Sequence, residues 1–125
     1  MAKRFSRERI FYILMTVLIA GVIFFASTIQ TTAGEGLGFN FAAFYHFGIF
    51  FMFTFFLSLS IRSGKINLKT AAIIILLSLA YAISDEFHQL FIIGRFASGR
   101  DVLIDFTGIL FSLLVVKDTE FFNKK

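Results

Sequence analysis

The chain has 125 residues, of which 58% are hydrophobic and only 16% charged, with 20 phenylalanines, no proline, no cysteine and a formal charge of +4. Soluble domains are nearer 45–50% apolar and about 25% charged, so a water-soluble fold of this composition would leave most of its apolar surface in water. One small integral membrane domain over residues 1–125 is expected, and missing cysteine excludes disulfides, thiolate metal sites and cysteine nucleophiles.

Residues 1–9 carry Lys3, Arg4, Arg7 and Arg9 against Glu8. The apolar run that follows, about 10–29, has roughly the 20 residues that cross a hydrocarbon core and exceeds the about 7–15 residues of a signal-peptide core. It is predicted to be the first transmembrane helix. Residues 30–40 hold three glycines and Glu35 and read as a loop. A second span is predicted over 41–61, interrupted by His46 near its start and by Thr54, Ser58 and Ser60. The basic turn 62–69 leads to a third span over 70–93, which carries Asp85, Glu86, His88 and Gln89 towards its end. A loop with Arg95 and Arg100 precedes a fourth span over 101–116, and the tail with Phe121, Phe122, Lys124 and Lys125 suits the headgroup region. The predicted fold class is therefore all-α, an integral membrane bundle of four transmembrane helices.

Ten of the twelve basic residues fall in the N-terminus, the 62–69 turn and the tail. The positive-inside rule then predicts an N-in, C-in topology. Scattered at the ends of apolar runs, these cations point to membrane orientation and not to nucleic acid. Glu35, His46, Asp85, Glu86, His88, Gln89, Arg95, Arg100, Asp101 and Asp105 are expected at the outer side.

The stretch from Ser84 to Gly108 gathers four of the eight carboxylates, one of two histidines and two arginines. An acid at a helix centre costs about 2.5–3.5 kcal/mol of insertion free energy, while each Leu, Ile or Phe returns about 0.3–0.6. Such groups must be paired, and they mark a site by default. Helical spacing sets Glu86, Gln89 and Ile93 on one face and Tyr81, Asp85 and His88 on another. Asp101, Asp105, Gly108 and Ser112 form a small and polar stripe that admits a close helix partner. Arginine's planar fork suits phosphate or carboxylate, making Arg95 and Arg100 candidates for an anion. Asp101 is also placed to cap the fourth helix. Glu86, His46 and Asp105 are the candidate acid/base groups. The histidines and acids match no metal-ligand spacing such as H-E-x-x-H, and neither a Ser-His-Asp triad nor a glycine-rich phosphate loop is readable, so no metal or cofactor is expected.

The pattern D-E-F-H-Q-L-F-x-x-G-R at Asp85 to Arg95, followed by R-D-V-L-I-D-x-x-G at Arg100 to Gly108, resembles the VanZ-like family of small bacterial membrane proteins. That family is named for a member associated with teicoplanin resistance. The resemblance picks out Glu86, Gln89, Arg95, Asp101, Asp105 and Gly108, with His46-Phe47 on the second helix and Ser27-Thr28 after the first. Ile93 stands where the family commonly has proline, Phe50 where it often has tyrosine, and no lysine precedes His46.

Three functions fit these residues. In the favoured one, a multi-pass protein of the cytoplasmic membrane recognises an anionic envelope lipid, a phospholipid or a lipid-linked cell-wall intermediate, and by resemblance affects glycopeptide susceptibility. Its ligand-binding set is Glu86, Gln89, Arg95, Arg100, Asp101, Asp105 and His46. In the second, the same groups catalyse acid/base chemistry on a lipid headgroup. The third is a small four-helix transporter, although the first helix lacks the central acid such proteins use. The oligomeric state stays open.

Overall fold

The computed structural model describes residues 7–29, 39–62 and 65–122, and side chains within 7–29, 41–62 and 65–118. Lys3, Arg4, Glu35, Ser63 and the side chains of Phe121, Phe122, Lys124 and Lys125 lie outside these. Four α-helices follow one another: α1 (Arg7–Thr28), α2 (Phe39–Ile61), α3 (Leu68–Gln89) and α4 (Gly99–Phe122). Among the described residues there is no strand.

Three of the predicted spans meet the demands of a bilayer. Arg7–Thr28, Phe41–Ile61 and Leu68–Gln89 are long and apolar enough to cross a membrane. α4 is as long, at 24 residues, but has Arg100, Asp101 and Asp105 in its first two turns and Lys117 and Asp118 near its end. It is not among the helices apolar enough to span, so the expectation of four spans holds for three. The outward surface agrees with a lipid environment: Leu14, Phe25, Phe44, Leu76 and Leu114 are each at least 60% exposed. In water such a surface would be a large liability, whereas hydrocarbon solvates it without penalty.

Two boundaries differ from the sequence reading. The apolar run of the third span continues to Ile93, yet α3 ends at Gln89. Beyond it Leu90, Phe91 and Ile92 donate their N–H groups three residues back, and Gly94 adopts φ 85°, a left-handed conformation open to glycine. Hydropathy cannot register this stop, because Phe91 and Ile93 stay apolar while lying exposed in the turn. At the other end α4 runs on to Phe122, six residues past the predicted limit of 116. The start of α3 is set by Asn67, whose side-chain oxygen accepts the N–H of Thr70 at 2.8 Å.

α2 is the central helix, packing on α1, α3 and α4, while α1 and α4 do not touch among the described residues. α4 crosses α2 closely at Gly108. A Cβ there would lie 2.5 Å from the backbone oxygen of Phe47 and 3.2 Å from the nitrogen of Phe51. The stripe predicted from Asp101 to Ser112 thus faces α2, with Asp105, Gly108 and Ser112 buried. Apolar packing continues through Ile23, Phe50, Phe53, Ala82 and Ile109, and further along through Ile66, Ile74, Leu113 and Val116. Phe50 is fully buried in this core.

Polar bonds tie the helices at three levels. Arg9 donates to the carbonyls of Ser60 and Ile61 at the end of α2, at 2.8 and 3.2 Å. Tyr81 donates to the Ala20 carbonyl at 2.6 Å, and Thr54 to Ser78 at 3.0 Å. At the far end Arg95 donates through Nη2 to the carbonyl of Ala26 in the last turn of α1, at 2.8 Å. Both arginines offset the partial negative charge of a helix C-terminus.

Candidate functional site

The antiparallel order brings the end of α1, the start of α2, the end of α3 and the start of α4 to one end of the bundle. The polar residues of the Ser84–Gly108 stretch and His46 are delivered there.

Asp105, in the second turn of α4, is fully buried. Its Oδ1 lies 2.9 Å from Nδ1 of His46, a contact across α2 and α4. With Asp105 as a carboxylate, which can only accept, the ring carries its proton on Nδ1 and turns Nε2 outward. That Nε2 lies 3.8 Å from Oδ2 of Asp101, which is part exposed. The second oxygen of Asp105 is buried with no hydrogen-bond partner.

Glu86 closes the cluster from α3. Its Oε2 accepts the backbone N–H of Ser98 at 2.7 Å, which clamps the loop ahead of α4 to the end of α3. Its Oε1 accepts from Gln89 Nε2 at 3.3 Å, and the same nitrogen donates to Asp85 Oδ2 at 3.2 Å. Glu86 is within electrostatic reach of His46, Asp101 and Asp105. One ligand atom each from His46, Glu86 and Asp101 falls within 4.8 Å of the others.

The sequence-predicted residues therefore separate. His46, Glu86, Gln89, Asp101 and Asp105 meet in one network. Arg95 sits at its edge, bonded to α1, with its Nε buried and unpartnered. Arg100 is exposed in the first turn of α4. His88 turns to α1, stacking on Phe24 with ring centroids 4.7 Å apart.

Asp85 is a member that helical spacing alone passes over. Adjacent acids project about 100° apart, which assigns them different neighbours, but Gln89, one turn on, is long enough to reach both. Tyr45, beside His46, lies within electrostatic reach of Asp85, Arg95 and Asp105. An open apolar groove of about 360 Å³ is lined by Ala43, Phe44, Phe47 and Ile104, which neighbour His46 and Asp105 in sequence. Its only sequence signal is the small pair Ala42-Ala43 within a run of aromatics.

Chemically, the network holds one imidazole and four carboxylates, with Arg95 at its edge. It can position a proton, hold a cation, or present donors and acceptors to a polar head whose apolar chain lies in the groove. A family model described as VanZ/LLP1 matches residues 5–122, nearly the whole chain. No curated protein and no solved structure matches it.

Proposed function

The chain belongs to the VanZ/LLP1 family, and we propose that it is a multi-pass protein of the cytoplasmic membrane whose polar cluster recognises the anionic headgroup of an envelope lipid. In this reading α4 completes a four-span bundle with both termini inside, and the cluster faces outward. Arg9 and Arg62 lie at the opposite end of the bundle, as the positive-inside rule requires of a cytoplasmic face.

The observation that carries the reading is that the same turns of α2 and α4 build both the His46, Glu86, Asp101 and Asp105 network, which Glu86 joins from α3, and an apolar surface groove lined by Ala43, Phe44, Phe47 and Ile104. A polar cluster and an apolar surface groove on the same helices suit an amphiphile: headgroup at the cluster, acyl chain along the groove. Arg95 supplies the cationic edge, with a buried Nε that has no partner and a fork that matches phosphate oxygens. Phospholipids and lipid-linked cell-wall intermediates both present phosphate at this depth. Altered susceptibility to teicoplanin is the expected phenotype on expression.

The test is native mass spectrometry of the purified chain with phosphatidylglycerol and phosphatidylcholine of equal chain length. Wild type is expected to retain phosphatidylglycerol preferentially, Arg95→Ala to lose the preference, and Ala43→Leu, which fills the groove, to retain less of both. Equal retention of both lipids by wild type overturns the reading.

The His46–Asp105 contact favours one second reading, acid/base chemistry on the same headgroup, because a carboxylate behind an imidazole orients a general base. Turnover separates the two: a binder leaves the lipid chemically unchanged.

A further inference from the structure

We propose that His46, Glu86 and Asp101 form a divalent metal site, with Asp105 as the group that orients the histidine. The ligands come from three helices, so no linear motif announces them, and a search by spacing along one segment passes them by.

Four observations converge. First, one donor atom from each of the three residues lies within 4.8 Å of the other two, so a small closure brings all three onto one ion. Second, His46 Nε2 and Asp101 Oδ2 are 3.8 Å apart. That is too long for a hydrogen bond, but close to the roughly 3.3 Å that separates two ligands of a tetrahedral ion with bonds of about 2.0–2.1 Å. Third, the 2.9 Å contact between His46 Nδ1 and the fully buried Asp105 reproduces the arrangement in which a carboxylate fixes a metal-binding imidazole. The ring is thereby held with Nε2 directed at Asp101. Fourth, Glu86 is itself pinned, through Ser98 N–H at 2.7 Å and Gln89 at 3.3 Å, so its carboxylate is positioned in advance.

Charge points the same way. Asp85, Glu86, Asp101 and Asp105 crowd together at the end of a bundle dressed for hydrocarbon, and Asp105 keeps a buried oxygen with no partner. Arg95 commits one of its nitrogens to the Ala26 carbonyl. A dication among these oxygens offsets their mutual repulsion. One imidazole nitrogen with two carboxylate oxygens suits ions of the zinc and manganese type.

Three protein ligands leave a coordination position open, as in metal sites that take a substrate oxygen. Here the inference rests on the headgroup reading above: a phosphate oxygen completing the ion's sphere explains how an acid-rich cluster attracts an anion. Coordination through Nε2 assigns His46 to holding the ion and not to proton transfer.

The experiment uses the full chain in detergent, free of any affinity tag and of anionic lipid, stripped with chelator and offered Zn²⁺ or Mn²⁺. Wild type is expected to retain about one equivalent and to unfold at a higher temperature with the ion than without it. His46→Ala, Glu86→Gln and Asp101→Asn are expected to bind at least tenfold more weakly with helicity unchanged, and Asp105→Asn about 10- to 100-fold more weakly. His88→Ala, at a histidine outside the cluster, retains the ion. Retention by His46→Ala equal to wild type, or no thermal response of wild type to either ion, overturns the site. The thermal measurement needs no variant, so a misfolded substitution does not blunt the test. Ion retention without preference for phosphatidylglycerol over phosphatidylcholine keeps the metal site and overturns the headgroup reading. Lipid preference without ion retention does the reverse.

Discussion

His46 and Asp105 stand 59 residues apart in the chain and 2.9 Å apart in the fold, and this contact joins α2 to α4 beside the Gly108 crossing. A buried imidazole–carboxylate pair in an apolar bundle both registers two helices and prepares the imidazole's second nitrogen for a ligand.

The pair should show coupling in a double-mutant cycle. Removing either partner leaves the other buried without its bond, so His46→Ala and Asp105→Ala are each expected to destabilise the bundle by about 0.6–2 kcal/mol, and the double variant by clearly less than their sum. Denaturation in detergent, followed by circular dichroism, reads this. Additive losses would mean that the contact does not form.

Gly108 offers a sharper test of the helix crossing. A methyl group at 2.5 Å from the Phe47 carbonyl must push backbone apart, so Gly108→Ala is expected to destabilise by about 1–3 kcal/mol. Gly48→Ala is the internal control, because a Cβ there meets nothing within 4 Å and glycine in a helix is itself unfavourable. It is expected to be neutral or stabilising.

The two capping arginines separate stability from recognition. Arg9→Ala removes donors to Ser60 and Ile61 at the end opposite the cluster and is expected to lose about 0.3–1 kcal/mol with lipid retention unchanged. Arg95→Ala removes the equivalent bond to Ala26 and, in addition, is expected to reduce phosphatidylglycerol preference at least tenfold. Comparing unfolding with lipid retention for both variants isolates the second effect.

Orientation is open to direct measurement because the chain has no cysteine. In intact cells a membrane-impermeant thiol reagent is expected to label Ser98→Cys and to spare Ser63→Cys. The reverse pattern places the cluster in the cytoplasm and ends the envelope-lipid reading.

Much of this architecture was legible in the residues. Apolar runs and their flanking cations marked the helices, with ends off by up to six positions, and the density of acids from Asp85 to Asp105 marked the end of the bundle where the network lies. The Asp101–Ser112 stripe announced a close helix neighbour, and Gly108 has one. Pairing was not legible. Hydrophobicity says which residues avoid water, but not what a histidine meets: His46 was singled out by resemblance, and only the fold pairs it with Asp105 and sets His88 on Phe24. Nor did it reveal the early end of α3, since the chain reverses at Gly94 while its side chains stay greasy. Arginine carries no mark of its partner either. Arg95, read as an anion clamp, spends one of its donors on a carbonyl of the first helix.

That first helix buries only Ile23 and Ser27. Beside that packing, three side chains tie it to its neighbours: Arg9 donates two bonds to α2, and Tyr81 and Arg95 donate to main-chain carbonyls of α1. Every amino acid supplies that acceptor. The specification of where α1 docks is therefore written largely on its neighbours, and most of its own letters are free to drift, provided they stay apolar and helical. Arg9, Phe24 and the few small or buried positions are the letters that its neighbours read; the rest is spelling that the bilayer proofreads.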